Sequence, residues 1–447
     1  MGSDEAPHGG GEPEVPRDVA RRNFVLGIAN GALVRVGMGF INPSLVLAGF
    51  VYYRTSSNLL VGLIATLSSL GHFWPQLYMS SLIEHRPRKM PYYVAATIIR
   101  VVLLCVMSAT IWLSGASSGN WVLVVFFATY FVYRSAQGAG GVPFFDLVGQ
   151  SVLPEKLGGF FALRTFFGEI LNVLCALMVV QWIIANVSTP NNYALLASIA
   201  TVLMAVGWGV WCLAREQKNS SPPRKRSFRE TLVGGFETMR TDRNYRILVF
   251  MRILLRFNFL TVAFFVPYGV ERLGAVGMGG VYVGARSVSM LFSSLLWGRI
   301  SNRRGNRVCL VASGLLFGLA PVVALAAPRL PEVFSLSLPA LPVPLDLPLC
   351  VYLLSLCFFG LAMQANMIAR NSFVLEIAPP ARRPSYIAFV NTIAFPLTIL
   401  PTVVGALVGR EAGRLDAVFI LIAFSGLLTF LAALRLREVR QPAGAAG

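Results

Sequence analysis

Asn23 to Pro43 reads NFVLGIANGALVRVGMGFINP, an apolar run with one arginine, Arg35, deep inside it. Asn244 to Pro267, NYRILVFMRILLRFNFLTVAFFVP, repeats the pattern. Asn23 answers Asn244, Phe24 answers Tyr245, Leu33 answers Leu254 and Arg35 answers Arg256, since 256 − 35 = 221. A guanidinium midway along a membrane helix costs several kcal/mol unless a partner offsets it. Its recurrence at equal depth in two halves predicts one site built twice.

The rest of the chain supports a membrane setting. Of its 447 residues 55% are hydrophobic and only 13% charged, with a mean hydropathy of +0.66. A soluble domain carries about 25% charged residues, so no sizeable soluble domain is left over. The formal charge of +18 gathers between alternate apolar runs, as in the cytoplasmic loops of a membrane chain. No basic region stands free with interleaved aromatics, which argues against a nucleic-acid partner. The six cysteines (Cys105, Cys175, Cys212, Cys309, Cys350 and Cys357) all lie in apolar runs without CxxC spacing. Neither a disulfide framework nor a metal site is indicated, and no cofactor is expected. Three histidines and no catalytic constellation argue against an enzyme.

A hydrocarbon core of ~30 Å needs about 20 apolar residues at ~1.5 Å rise each. On that ruler the first six spans fall at 24–47, 58–80, 91–114, 121–148, 160–185 and 193–214. Six more fall at 247–269, 276–298, 307–328, 348–372, 385–408 and 415–435. The predicted fold class is an all-α polytopic membrane protein, twelve transmembrane helices forming two pseudo-symmetric six-helix bundles. Its parts are a disordered tail 1–22, an N-terminal bundle 23–214, a linker 215–246, a C-terminal bundle 247–436 and a tail 437–447. The first tail is acidic and Gly/Pro-rich with no apolar core, unlike a cleaved signal.

Basic residues orient the chain. Arg17, Arg21, Arg22, Arg86, Arg88, Lys89, Arg303, Arg304, Arg307, Arg382, Arg383, Arg435, Arg437 and Arg440 share one side, and the linker adds nine more. The loops 114–120 and 185–192 on the other side carry none. Both termini are therefore placed in the cytoplasm, with the chain in the inner, cytoplasmic membrane. Within the linker, Phe228, Leu232, Phe236 and Met239 share one helical face. That face fits a helix on the inner headgroups; a plain tether is the alternative. Two further echoes mark the duplication. LIEHRPRKM (82–90) answers ISNRRGNRV (300–308), and PEKLGGFFA (154–162) answers PARRPSYIA (380–388).

Three motifs then carry a resemblance. Ser80 to Lys89 (SSLIEHRPRK) is a degenerate form of G-x-x-x-D-R-x-G-R-K, with Glu84 for the acid and Ser80 and Pro87 for the glycines. Gly298 to Arg307 (GRISNRRGNR) keeps both glycines but has Asn302 at the acid position. In the fourth span, Arg134-Ser-Ala-Gln137-Gly138-Ala-Gly140-Gly141 is close to R-x-x-Q-G-x-G. On these the chain resembles the major facilitator superfamily over essentially its whole length. The antiporter signature G-x-x-x-G-P-x-x-G-G is absent from the fifth span. The resemblance implies a secondary transporter in which two halves rock around a central site; a monomer is expected. It also implies that Glu84 and Arg88, with Arg303 and Arg307 in the copy, latch the cytoplasmic gate. Because Asn302 carries no charge, the second latch should be the weaker.

Depth selects the candidate site. From the cytoplasmic edge Arg35 lies ~16 Å in, Arg256 ~14 Å, and Arg286 and Glu169 ~15 Å, with Arg134 in the inner or middle third. Glu169 with Arg134, from adjacent spans, is the expected ion pair, either structural or proton-coupling. The arginines left over attract an anion, since a guanidinium binds oxyanions bidentately. The candidate substrate ligands are Arg35, Arg256, Arg134, Arg286, Asn30 and Asn258. By position alone, Arg35 and Arg256 are similar to the phosphate-holding arginines in spans one and seven of the superfamily's organophosphate/phosphate antiporters. Alternatives stay open at several of these residues: Arg35 as a cap on carbonyls near Asn30 or Asn42, Arg286 in a polar seam with Ser287 and Ser289. Arg252 is read as snorkelling to the interface, and His72 as packing beside Pro75. The expected partners are a small anionic solute, membrane lipid and protons as coupling ion. The competing readings are proton-driven efflux of amphiphilic compounds and a non-transporting sensor or scaffold.

Overall fold

The computed structural model describes residues 16–55, 58–115, 119–216, 227–276, 278–337, 343–408 and 412–439. In the first half α1 (Arg17–Phe40) passes through a wide turn at Pro43–Leu47 into α2 (Ala48–Thr55). Then come α3 (Asn58–Ile83), α4 (Met90–Leu113), α5 (Trp121–Ser151), α6 (Leu157–Cys175), α7 (Gln181–Asn186) and α8 (Asn191–Cys212). A linker helix, α9 (Phe228–Thr241), precedes the second half. That half holds α10 (Arg243–Asn258), α11 (Leu260–Leu273), α12 (Gly279–Arg304), α13 (Asn306–Ala326) and α14 (Leu347–Ile377). It closes with α15 (Arg383–Ile393), α16 (Leu400–Val408) and α17 (Ala412–Leu434). Two short antiparallel strands, β1 (Ser335–Leu336) and β2 (Leu345–Asp346), decorate the loop before α14.

Among the described residues, nine helical segments are long and apolar enough to cross a membrane. The second, eighth and eleventh predicted spans are present as α3, α12 and the α15–α16 pair, but each is more polar or broken. Pro396 interrupts the last of these, because proline offers no N–H and disfavours helical backbone before it. Val102, Val202, Phe292, Leu315 and Phe424 stand more than half exposed, a surface suited to acyl chains rather than water. Helix α1 begins at Arg17, ahead of the predicted Asn23, so part of the expected tail is helical. Residues 1–15 of that tail, residues 440–447 and the PRKR run at 223–226 lie outside the described residues.

The internal repeat is written in side-chain bonds. Asn23 donates from Nδ2 to the Arg215 carbonyl at 2.9 Å and accepts the Arg215 N–H at 3.0 Å. Asn244 makes the same two bonds with Arg437, at 3.0 and 2.9 Å. In each half this amide ties the first helix to the chain leaving the last. Glu216 accepts the backbone N–H groups of Lys89 and Met90 at the start of α4. Glu438 accepts that of Arg307 at the start of α13, at 3.2 Å. Each carboxylate satisfies otherwise unpaired donors at a helix N-terminus, where negative charge is favoured. Lys89, buried between α3 and α4, donates to the carbonyls of Ile83, Glu84 and Arg86. Burial lowers its ammonium below the usual lysine range, with the carboxylates of Asp146, Glu216 and Glu84 opposing that shift.

The two halves meet at the arginine-rich end. There α6 packs on α12, and α15 on α3 and α5. Gly159 donates its N–H to Asn302 Oδ1 at 2.8 Å, and the Ser385 hydroxyl donates to the Glu84 carboxylate. Gly158 and Gly298 have no room for a Cβ against Ser301 and Ala162, so these glycines permit the close approach of α6 and α12. One buried core runs through the first half and on into the second at this end, through Trp297, Phe373, Ile387 and Phe389. A second core, around Phe265, Tyr268, Tyr352 and Phe419, belongs to the second half alone. The bundles are thus joined at the basic end. Of the residues expected to latch this end, Glu84 bonds across the seam, and so does Asn302, whereas Arg88 and Arg303 are exposed. Arg307 donates to the Leu434 carbonyl within its own half.

Helix α9 opens with a reciprocal cap, Glu230 N–H to Ser227 Oγ and Ser227 N–H to Glu230 Oε2. Its buried face is the small one, Thr231, Gly234, Gly235 and Thr238, set against α3, α10 and α15. Phe228 and Phe236, named from the sequence, are nearly half exposed beside it.

The paired amide clamps make a direct test of the repeat. Replacing buried Asn23 by alanine should lower stability by about 1–3 kcal/mol, with a smaller loss at the more exposed Asn244. Thermal unfolding in detergent reads both; equal, wild-type midpoints for N23A and N244A would show that the clamps contribute nothing.

Candidate functional site

A cavity of about 280 Å³ opens between the halves, framed mainly by the first. Its polar wall includes Asn30 and Arg35 of α1, Arg100 of α4, Gln137 of α5, and Arg164 and Thr165 of α6. Tyr93, Phe144, Phe145, Phe161 and Trp208 supply an aromatic wall, and Met367 and Asn371 of α14 close it from the second half.

Glycines bring these elements together. Gly138 of α5 lies so close to the His72 carbonyl that no Cβ would fit, and Gly140 places its backbone against Ala96 and the Arg100 guanidinium. Gly31 leaves space on α1 for the stem of Arg164, and a Cβ on Gly168 would sit 2.9 Å from that of Arg35. The R-x-x-Q-G-x-G-G stretch therefore works as packing geometry. Gln137, Gly140 and Gly141 face the cavity, while Arg134 bonds Gln137 and the Ser68 carbonyl.

The ion pair differs from the one expected. Glu169 binds Arg35, not Arg134. The close packing of α1 on α6, permitted by Gly168, brings these two together. The Arg35 side chain remains 41% exposed and Glu169 14%, so the pair borders open space.

Arg164 and Arg100 are held by neutral partners. Arg164 donates to the Gly27 carbonyl at 2.8 Å and to Asn30 Oδ1 at 2.7 Å, and lies 4.6 Å from the Phe144 ring centre. Arg100 bonds the Ala96 carbonyl and Thr97, and sits 4.2 Å from the Trp208 ring centre. Such partners orient a guanidinium without cancelling its charge. Among the described residues, three guanidiniums against the one carboxylate of Glu169 leave two positive charges without an ion pair at the cavity.

The other sequence candidates lie elsewhere. Arg256 stacks on Phe73 of the opposite half, 4.8 Å from the ring centre, and is not part of the cavity wall. Arg286 of α12 acts electrostatically on Arg35 from across the halves. Asn30 lines the cavity, but its Nδ2 is spent on the Gly207 carbonyl at 2.6 Å. Asn258 is fully buried, donating to Thr429 of α17. Arg252 does not snorkel: it is 8% exposed, buried beside Arg256 and Arg370. His72 lines the cavity as well as packing against Phe73. Arg100, Arg164 and Arg370 were not singled out from sequence. The signal that could have found Arg100 is the one that marked Arg35, a lone basic residue within an apolar run.

A family model described as the Major Facilitator Superfamily matches residues 28–322 and 248–447. No curated protein matches the chain by sequence. Solved structures do match by fold. A bacterial homologue of the iron transporter ferroportin, in an outward-facing state, has a TM-score of 0.72 at 13% identity, covering 94% of this chain and 99% of its own. The E. coli fucose:proton symporter FucP has 0.67 at 14% identity, covering 93% and 98%. The human organic anion transporter TETRAN has 0.62 at 14% identity, covering 94% and 100%.

Two glycines three positions apart in α5, Gly138 and Gly141, separate packing from open space. Gly138→Ala must displace the α3 backbone and should destabilise the protein by about 1–3 kcal/mol. Gly141→Ala meets nothing within 4 Å and should be neutral or stabilising by up to about 1 kcal/mol, from helix propensity. Thermal midpoints of the two variants give the comparison, and the reverse order would refute the packing role.

Proposed function

The chain belongs to the Major Facilitator Superfamily, a family of membrane transporters rather than enzymes, and from that premise we propose that its solute is a small organic anion. One observation carries this reading: Arg35, Arg100 and Arg164 line one cavity, and among the described residues only Arg35 of the three has an ion pair, with Glu169. An anion entering this space gains charge-assisted hydrogen bonds from guanidiniums whose desolvation is already part of the fold. The aromatic wall of Tyr93, Phe144, Phe145, Phe161 and Trp208 suits a solute with an apolar body.

Movement follows alternating access. We place the arginine-rich end in the cytoplasm, in the cytoplasmic membrane, with the protein acting as a monomer. The bundles are then closed inward and the cavity faces outward. Release to the inside requires breaking the Glu84–Ser385 and Asn302–Gly159 contacts while the halves rock. Glu169 supplies a route for proton coupling. A proton taken up by its carboxylate removes the charge that holds Arg35 and leaves that guanidinium free for the anion. Proton and anion would then bind together, as in symport. Arg286, which acts on Arg35 from the second half, strengthens anion capture as the halves approach. Arg134 holds the α3–α5 wall through Ser68 and Gln137.

Flux measurements in reconstituted liposomes test the assignment, with solutes chosen by a thermal-shift screen of organic and inorganic anions. Arg35→Lys keeps the charge but loses the bidentate fork, and should reduce uptake about 10–100-fold. Normal transport by this variant would exclude bidentate recognition. Glu169→Gln should leave exchange of the anion intact while removing its response to an imposed pH gradient. A retained pH response would place the coupling proton elsewhere, and export of cationic dyes by the wild type would contradict the charge of the cavity.

A further inference from the structure

A groove of about 520 Å³ lies on the flank of the second half and shares no lining residue with the central cavity. One wall is Arg246, Phe250 and Ile253 of α10; the other is Leu428 and Leu431 of α17 with Arg435 just past its end. Residues at these spacings share one helical face. Helix α10 packs on α17, and Asn244 bonds Arg437 in both directions, so the start of α10 meets the end of α17. The two helices therefore run antiparallel, and Arg246 and Arg435 come to the same, arginine-rich end of the groove. From there each wall runs seven residues to its last apolar side chain. At ~1.5 Å per residue that is ~10 Å, within the ~15 Å hydrocarbon depth of one leaflet.

The groove opens outward, since Phe250 and Leu431 are nearly half exposed and both arginines are exposed. Met239 of α9 lines it too, and Arg246 Nη1 donates to the Met239 and Arg240 carbonyls at 3.5 and 3.3 Å. Among the described residues no ion pair reaches Arg246 or Arg435. Two guanidiniums without counter-charge at the head of an apolar furrow match a phosphodiester that carries hydrocarbon. We propose that this groove holds one anionic phospholipid, with its phosphate between Arg246 and Arg435 and an acyl chain along α10 and α17. A guanidinium binds phosphate through paired N–H donors, and a zwitterionic lipid would bring an ammonium that the arginines repel. Segments of this chain fit less well. The basic run Pro223 to Arg226 is repelled, and Asp4, Glu5, Glu12 and Glu14 stand among glycines and prolines with little apolar surface. A bound lipid ties α9 to the first and last helices of the second half, and so stabilises a linker helix that also packs on α3 of the first.

Dioleoyl phosphatidylglycerol is the probe, added to delipidated full-length protein in a neutral detergent while the thermal midpoint is followed. The wild type should show a saturable upward shift of a few degrees. Dioleoyl phosphatidylcholine should give little, as should glycerol 3-phosphate, which has the charge but no chain. Arg246→Gln and Arg435→Gln, both at exposed positions, should each raise the half-saturating lipid concentration about 5-fold. Leu431→Trp, which fills the furrow and keeps both arginines, should raise it as well. Arg304→Gln, an exposed arginine at the same end but outside the groove, should respond as the wild type does. An equal loss in Arg304→Gln would mean that overall charge attracts the lipid, and overturns the site. So does a wild type that responds as strongly to phosphatidylcholine or to glycerol 3-phosphate. A response that appears only after removal of residues 2–15 would give the arginines to the acidic tail, and a dimer that Leu431→Trp dissociates would give the groove to a second copy; either overturns the lipid site. None of these readouts involves solute flux, so the result is independent of what the central cavity carries.

Discussion

A guanidinium cannot be left bare inside an apolar bundle, and the first half of this protein is organised around that constraint. Its charge cannot be removed by deprotonation at any ordinary pH, so each buried arginine must find acceptors, aromatic faces or a counter-ion. The protein uses all three. Arg35 has a carboxylate, Glu169. Arg164 and Arg100 have carbonyls, side-chain oxygens and ring faces. The choice matters functionally, because neutral acceptors satisfy hydrogen bonds while leaving the field of the charge in place. The guanidiniums of the cavity between the halves are therefore hydrogen-bonded yet keep their positive charge.

Small residues make that arrangement affordable in space. Gly31 admits the stem of Arg164, Gly168 that of Arg35, and Gly140 the head of Arg100. Gly158 and Gly298 do the same for the helices that join the halves. One steric rule thus serves both the cavity and the seam between the halves. The clamps formed by Asn23 and Asn244, and the caps formed by Glu216 and Glu438, hold each half as a unit. A rocking motion needs such internal stiffness, since strain must pass to the seam rather than dissipate within a bundle.

Much of the fold was legible from the chain. Apolar runs of membrane length, basic residues in alternate loops and echoes at offsets near 221 pointed to duplicated bundles. Arg35 and Glu169 were both marked as unusual by depth. Their pairing was not legible, because depth is one coordinate and a contact also needs the rotation of each helix. The same limit explains Arg252: the ruler placed it near an edge, but α14 covers that edge and buries it with Arg370. At the seam, the charged residues of the loop motifs drew attention; Glu84 does bond across it, to Ser385, but uncharged Asn302 does so too, since Gly159 presents a backbone N–H there and an amide oxygen suffices.

The sequence by itself determined the class, the approximate spans, the two-fold repeat and the excess of buried positive charge. These follow from composition and period, which are properties of the chain read in one dimension. The tertiary structure alone decided which guanidinium is neutralised, which face the cavity and which are shut away from it. The physical reason is that hydrogen bonds and ion pairs act within about 3–4 Å. Which groups come that close is set by helix rotation, and here by the glycines that let one helix rest against another.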